Sequence, residues 1–362
     1  MFKFTELEQI HLEITNNCQA SCPMCSRNIH GGIENPLIKV NNWSLLDYKK
    51  IISTEVINQV RMIYFCGNYG DPLLNNDLLE MIEYTVSVKE TIQIRVHTNG
   101  SLRSVDWWKK LASVMPKNHK VIFAIDGLED THSIYRIGTN YNKIIENAKA
   151  FISNGGKADW AFIRFNHNEH QVTTAKEIAK NLGFESFVMK DSLRFNISNK
   201  FPVYDKNKNI VNYLKPSSYS ELKFIDKKLI ENYKSILEKT EIDCVALKAK
   251  EIYIDSQYNL FPCCWLGLIP YQAQEDIELM HIRQDILDQY KSLVESLGGI
   301  DKLSTLENTV KSIIDSEPYQ TVWTEYWNTN KLITCGKSCG KLPNVFSTPK
   351  NQFTQSEILS ER

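Results

Sequence analysis

The sequence reads as an α/β protein built around a parallel sheet, and three observations predict it. Six short runs rich in Val, Ile and aromatic residues alternate with segments whose apolar residues recur three and four apart. Strands interleaved with helices need crossover connections, which set the strands parallel. The 362 residues, 42% of them hydrophobic, are enough for one large domain and a smaller one. Six units are too few for an eight-stranded barrel.

In order, the strands are "QIHLEIT" (9–15), "VRMIYFC" (60–66), "IQIRVHT" (92–98), "KVIFAID" (120–126), "DWAFIRF" (159–165) and "ESFVMK" (185–190). The helices between them are "SLLDYKKIISTEV" (44–56), "NDLLEMIEYTVSV" (76–88), "VDWWKKLASV" (105–114), "NKIIENAKAFISN" (142–154) and "TAKEIAKNLG" (174–183). Asn75 and Asn76 precede the second helix, and Gly155 and Gly183 follow the fourth and fifth, as helix boundaries favour. Residues 1–195 make the first domain. Residues 196–243, polar and rich in Lys and Asn, form a connector ending in a helix at "KKLIENYKSILEK" (227–239). Residues 244–348 make a second domain, opened by the hairpin "EIYIDSQYNLFPCC" with its turn at Ser256 to Asn259. Helices follow at 273–298 and 302–315, then a turn-rich stretch, 327–344. The tail, 349–362, is expected to fray.

Lys and Arg number 42 against 43 Asp and Glu. Such a balance gives no overall field to collect nucleic acid or anionic membrane. The N-terminus lacks a basic head with an apolar run, and no stretch is long enough to span a bilayer, so the expected location is cytoplasmic. Nine cysteines there argue against a disulfide framework. Cys18, Cys22 and Cys25 form one group, Cys244, Cys263 and Cys264 a second, Cys335 and Cys339 a third, and Cys66 stands alone as a small buried hydrophobe.

Cys18-x3-Cys22-x2-Cys25 lets one loop wrap a small inorganic centre with soft thiolate ligands. A structural zinc would need a fourth ligand, for which His30 is the nearest imidazole. A four-iron cluster held by three cysteines would instead keep one iron open. The triad follows the first strand, on the face where parallel α/β units carry active-site loops.

At these residues the sequence resembles the radical S-adenosylmethionine (SAM) superfamily, whose x3, x2 cysteine motif follows the first strand of a partial (β/α)6 TIM-like barrel. Met24 stands where the family usually has an aromatic residue; it is apolar and able to pack on cluster or adenine. "YFCGNYGDPLLNNDLLEMI" resembles the glycine-rich segment whose backbone approaches the SAM amino group, with Gly67, Gly70, Asp71 and Pro72 matching and aspartate in place of glutamate. "HTNGS" resembles Thr-Asn-Gly at the end of the third strand and brings in Asn99. "FAIDGLEDTHSIYRIGT" resembles a segment of peptide-modifying and sulfatase-maturing members. There Asp126 is expected to face the SAM ribose and Arg136 its carboxylate, with Ala124 replacing a serine. The cluster "NHNEH" (166–170) follows the fifth strand, where SAM, substrate or a polar loop cap are all open readings.

Cys244, Cys263, Cys335 and Cys339 resemble the ligands of the auxiliary cluster in the twitch domain, a shortened SPASM domain, with fewer cysteines than the full pattern of seven. Cys263 is preferred to its neighbour Cys264 because it follows "NLFP"; a structural zinc on the same four thiols is the alternative. The resemblance implies a 4Fe-4S cluster at the triad, SAM, and a second, auxiliary 4Fe-4S cluster. It further implies reductive SAM cleavage to a 5'-deoxyadenosyl radical, hydrogen abstraction, and net oxidation of substrate, with an electron donor such as flavodoxin or ferredoxin. A barrel starting near residue 9, with no leader-capturing domain before it, favours a small-molecule substrate. A peptide maturase working with a separate recognition protein is the second reading, and a non-catalytic zinc- or cluster-binding module the third. Asp71, Glu169, Asp255 and Glu325 are candidates for a general base.

Overall fold

All six expected strands form, and the reason is local: each is a short run dense in β-branched and aromatic residues with buried outer faces. In the computed structural model, residues 1–192, 194–195, 198–220, 232–272, 280–329, 331–341 and 355–359 are described. The strands are β1 (Gln9–Leu12), β2 (Asn28–Ile29), β3 (Ile33–Glu34), β4 (Met62–Phe65), β5 (Gln93–Thr98), β6 (His119–Ala124), β7 (Ala158–Arg164), β8 (Ser186–Asp191), β9 (Phe201–Tyr204), β10 (Ile210–Leu214), β11 (Glu251–Ile254), β12 (Leu260–Phe261) and β13 (Gln355–Ile358). Nine of them make one sheet in the order β12-β11-β1-β4-β5-β6-β7-β8-β13. From β11 to β8 every neighbour is parallel. The sheet is open, with antiparallel β12 and β13 as its edges.

One apolar cluster fills the layer between sheet and helices, joining Ile10, Leu12, Phe65, Val96, Phe123 and Trp160 to Tyr48, Met81, Trp108 and Phe151. The expected helix over 44–56 is two helices, Leu45–Ile51 and Thr54–Gln59. Ser53 breaks it, because its side chain accepts from Val56 N and caps the second piece. Gly183 takes the left-handed conformation, φ 86°, at the C-terminus of Val172–Leu182.

The C-terminal half departs further from expectation. The connector contains the hairpin β9–β10, and its helix is Tyr233–Lys239, residues 221–231 lying outside the described ones. The 251–264 hairpin forms, yet it is not detached: β11 lies parallel beside β1, Gln9 opposite Glu251, so residues 251–261 extend the central sheet. The 273–298 helix is seen as Met280–Ser296, with 273–279 outside the described residues. A helix at Glu317–Asn328, capped by Ser316, was not anticipated, and Ile333–Cys339 is helical where turns were expected. The tail does not simply fray: residues 355–358 add to the unpaired edge of β8. No helix among the described residues is long and apolar enough to cross a membrane.

Candidate active site

The triad occupies the loop after β1, over the C-terminal ends of the parallel strands. Cys22 is buried and Cys18 and Cys25 half-buried. The loop is shaped by its own backbone: Cys25 N donates to Cys22 O (3.0 Å), Asn28 N to Cys25 O (2.9 Å), and Ser21 N to Ile137 O (2.8 Å). Ala20, Cys22 and Met24 pack with Tyr135, Phe165, Phe195, Val203 and Leu214 in a second apolar cluster, so the β9–β10 hairpin covers the loop and shields it from water. Met24 faces Ser192, whose hydroxyl lies 3.3 Å from its Sδ. Burial raises the Cys22 thiol to about 11, opposed by the Arg136 guanidinium. His30 is turned away from the thiols: its Nδ1 lies 3.1 Å from Pro202 O and its ring packs on Phe201 and Tyr204.

The glycine segment crosses tightly over the first strand. A Cβ on Gly70 would stand 2.0 Å from Thr15 O, and one on Gly67 would strike the backbone of Gly70. Only glycine permits that approach. Asp71, 4% exposed, does not point outward. Its carboxylate accepts from Leu73 N (3.0 Å), Thr98 Oγ1 (2.8 Å), Asn99 N (2.7 Å) and Asn99 Nδ2 (2.6 Å). Burial raises its carboxyl above the ordinary value against those donors. Asn99 in turn accepts from Gln19 Nε2 (2.8 Å), and its Nδ2 lies 3.9 Å from Cys18 Sγ. Asp71 and Asn99 thus tie the ends of β4 and β5 to the cysteine loop.

Asp126 is fully buried after β6 and accepts from Arg136 Nε at 2.6 Å and from Ile163 N. Arg136 Nη1 lies 3.9 Å from Cys22 Sγ. Burial works against the Arg136 charge, but Asp126 and the Cys22 thiol more than offset it and raise its pKa. A fixed cation therefore stands beside the triad with part of its fork still open.

These positions fall inside residues 12–178, which match the model of the Radical SAM superfamily. The chain carries a radical SAM domain. Two solved structures share the fold. SuiB of Streptococcus suis bound to the precursor peptide SuiA is 12% identical, matched over 88% of this chain and 67% of that one, with a TM-score of 0.51. A histidine-tagged anSMEcpe with bound AdoMet is 13% identical over 87% and 79%, with a TM-score of 0.50. The superfamily implies a 4Fe-4S cluster and SAM. The groups of this radical SAM domain fit those two ligands: three thiols on one loop are soft ligands for iron, and the Arg136 cation beside them suits a carboxylate. Among the described residues no three His, Cys, Asp or Glu side chains gather as ligands of a single metal ion.

Beyond the radical SAM domain, Cys244, Cys263, Cys335 and Cys339 line one cleft with Ile242, Trp265 and Leu266. The Cys244 and Cys339 thiols are neighbours there, and the Cys339 thiol together with burial raises that of Cys244. Cys264 does not line that cleft; besides its neighbour Cys263 and Glu251, its thiol feels Cys66 and Glu13, on the sheet side. Cys66 closes β4, its carbonyl 3.2 Å from His11 Nε2.

The other candidates are held by structure. Glu169 accepts from both Ser217 and Ser218 hydroxyls (2.7 Å each), Asn168 Nδ2 donates to Asp126 O (3.2 Å), and Asp255 accepts from Gln257 N and Asn259 N in the hairpin turn. Glu325 is exposed on the Glu317–Asn328 helix. His167 lines an opening with Ile134, Asn166 and strand β10. One residue escaped sequence reasoning, and one, His132, stood in the quoted motif without a role. Glu13, buried just past β1, accepts from Tyr69 N (2.7 Å), Gly70 N (3.1 Å) and Tyr253 OH (2.5 Å), fixing the glycine segment. Its signal was a lone carboxylate in an apolar strand. His132 accepts from Asp126 N (3.2 Å) and lies 2.9 Å from Thr139 Oγ1, bracing the Asp126–Arg136 loop.

Proposed function

We propose that Cys18, Cys22 and Cys25 hold a 4Fe-4S cluster beside SAM, and that the chain uses them to abstract a hydrogen atom from an organic substrate in a net oxidation, aided by a second 4Fe-4S cluster. The observation that supports this most is the Arg136 guanidinium, locked on Asp126 and 3.9 Å from the Cys22 thiol. When bound, the cluster and SAM supply the electron and the 5'-deoxyadenosyl radical that removes substrate hydrogen. The chain's own residues bind, orient and dry the site. Three thiolates hold the cluster, and Arg136 offers its fork to the SAM carboxylate. The Gly67–Gly70 backbone, held by Glu13 and Asp71, approaches the SAM amino group. Met24, Tyr135 and Phe165 keep water away.

Cys244, Cys263, Cys335 and Cys339 hold the second cluster through all four thiolates, which leaves no open position and suits electron transfer. Reducing electrons come from a donor such as flavodoxin or ferredoxin, in the cytoplasm. Substrate reaches the site past His167 and β10. A small molecule is the first reading. The second, an extended peptide, is favoured by exposed Ile210, Val211 and Tyr213 on β10, a strand paired only with β9 among the described residues, which a peptide could extend.

The test is iron and sulfide per chain after anaerobic reconstitution, for the wild type and a Cys18/Cys22/Cys25→Ala variant, with 5'-deoxyadenosine assayed after SAM and dithionite. The expected result is about eight irons falling to about four, with nucleoside from the wild type alone. About four irons with activity removes the second cluster from the proposal. Zinc without nucleoside overturns it in favour of a binding module.

A further inference from the structure

Three buried polar atoms without a hydrogen-bond partner lie on one helix. They are Tyr319 Oη, Trp323 Nε1 and Trp327 Nε1, all on Glu317–Asn328. Spaced four apart, they share one face, and their rings follow one another with centroids 5.8 and 6.0 Å apart. A buried donor left unpaired costs about 1–3 kcal/mol. Three in succession on one face call for an acceptor that the bare chain does not supply.

That face meets the four-cysteine cleft. Trp327 lines it, its indole N–H near the Cys335 thiol without the geometry of a formed hydrogen bond. Tyr319 continues that face beyond the cleft lining, its ring 5.8 Å from that of Trp323, and its buried hydroxyl feels the Cys263 and Cys244 thiols. Trp323, fully buried, fills the space between the two. A neutral thiol accepts hydrogen bonds weakly. Thiolates and sulfides of a cluster are charged, and hydrogen bonds to charged acceptors are roughly twice as strong. The donors are therefore placed for a charged sulfur centre.

We infer that Tyr319 and Trp327 donate O–H and N–H hydrogen bonds to sulfurs of the second cluster and hold its reduction potential up, fitting it to take electrons. This rests on the second-cluster reading above. The physical reason is that the reduced cluster carries one more negative charge, so each donor stabilises it more than the oxidised form. A centre that only anchored substrate would have no use for such a wall.

The test is a potentiometric titration followed by electron paramagnetic resonance. It uses the full chain bearing Cys18/Cys22/Cys25→Ala, so that only the second cluster contributes. Tyr319→Phe and Trp327→Phe are added singly and together. The expected result is unchanged iron per chain with a midpoint potential lowered in each variant, and lowered further in the double. Equal potentials with iron intact overturn the inference while leaving the second cluster in place. Iron absent, or zinc in its stead, from the parent triple variant overturns the cluster reading and the inference together. Should Trp327→Phe lose iron, Tyr319→Phe decides, since it removes one oxygen and leaves the ring packing.

Discussion

Asp71 shows how a residue chosen for chemistry can act through geometry. Its sequence context, Gly70-Asp71-Pro72, marked it as a contact for SAM and as a possible base. In the fold its two oxygens are taken by four donors from Leu73, Thr98 and Asn99, and what it offers a ligand is the backbone it fixes. Asp71→Ala leaves those buried donors stranded. Urea unfolding of the cofactor-free protein should show a loss on the order of 3 kcal/mol, with SAM cleavage lost as well. An unchanged midpoint would mean the donors find water instead. Arg136 is the converse case: its motif singled it out for a ligand, and the fold leaves it held by Asp126 with Nη1 3.9 Å from the Cys22 thiol.

At the scale of elements, Glu13 joins three of them: β1, the glycine segment, and β11 through Tyr253. Burial raises its carboxyl from the ordinary 4.5 to about 7, against the pull of its donors. The native state therefore binds this proton more tightly than the unfolded chain does. The stabilisation is complete below about 4.5 and is lost as pH rises through about 7. Glu13→Gln keeps an acceptor and removes the titration. The decline in stability across that window should shrink by an amount on the order of 3 kcal/mol, read from denaturant midpoints at a series of pH values. Asp255, raised to about 7 by burial, titrates in the same window and leaves a residual slope in the variant. An unaltered slope would place the Glu13 proton elsewhere.

For the whole molecule, the decisive feature is the parallel pairing of β11 with β1. It makes the second cysteine region an extension of the sheet that carries the first. The two sites share a scaffold, and each keeps its own walls: β9–β10 over the triad, the Glu317–Asn328 and Ile333–Cys339 helices by the other cleft. Cys335→Ala should consequently lower iron content while leaving the SAM-perturbed paramagnetic signal of the first cluster unchanged. Loss of both signals would mean that the sites depend on one another for folding.

The six parallel strands, the cysteine triad, the glycine segment and the motif that holds Asp126 and Arg136 were readable from the chain alone, while the ion pair between those two was not. Each readable feature is a local pattern: β-branched runs, a spacing within one loop, or a motif at a strand end. The resemblance preferred Cys263 to Cys264 on its place after "NLFP", but that the four thiols line one cleft is a fact of the tertiary structure. Both cysteines sit at the exit of the same hairpin, and the packing of the distant Ile333–Cys339 helix closes the cleft on Cys263. The tertiary structure alone placed β11 beside β1 and β13 on β8, because open strand edges take partners from anywhere in the chain and composition does not name them. The commitment of Glu13, Glu169 and Asp255 to neighbouring donors was hidden for the same reason. A carboxylate looks equally free in every sequence, and its partners exist only once distant backbone has been brought within hydrogen-bonding distance.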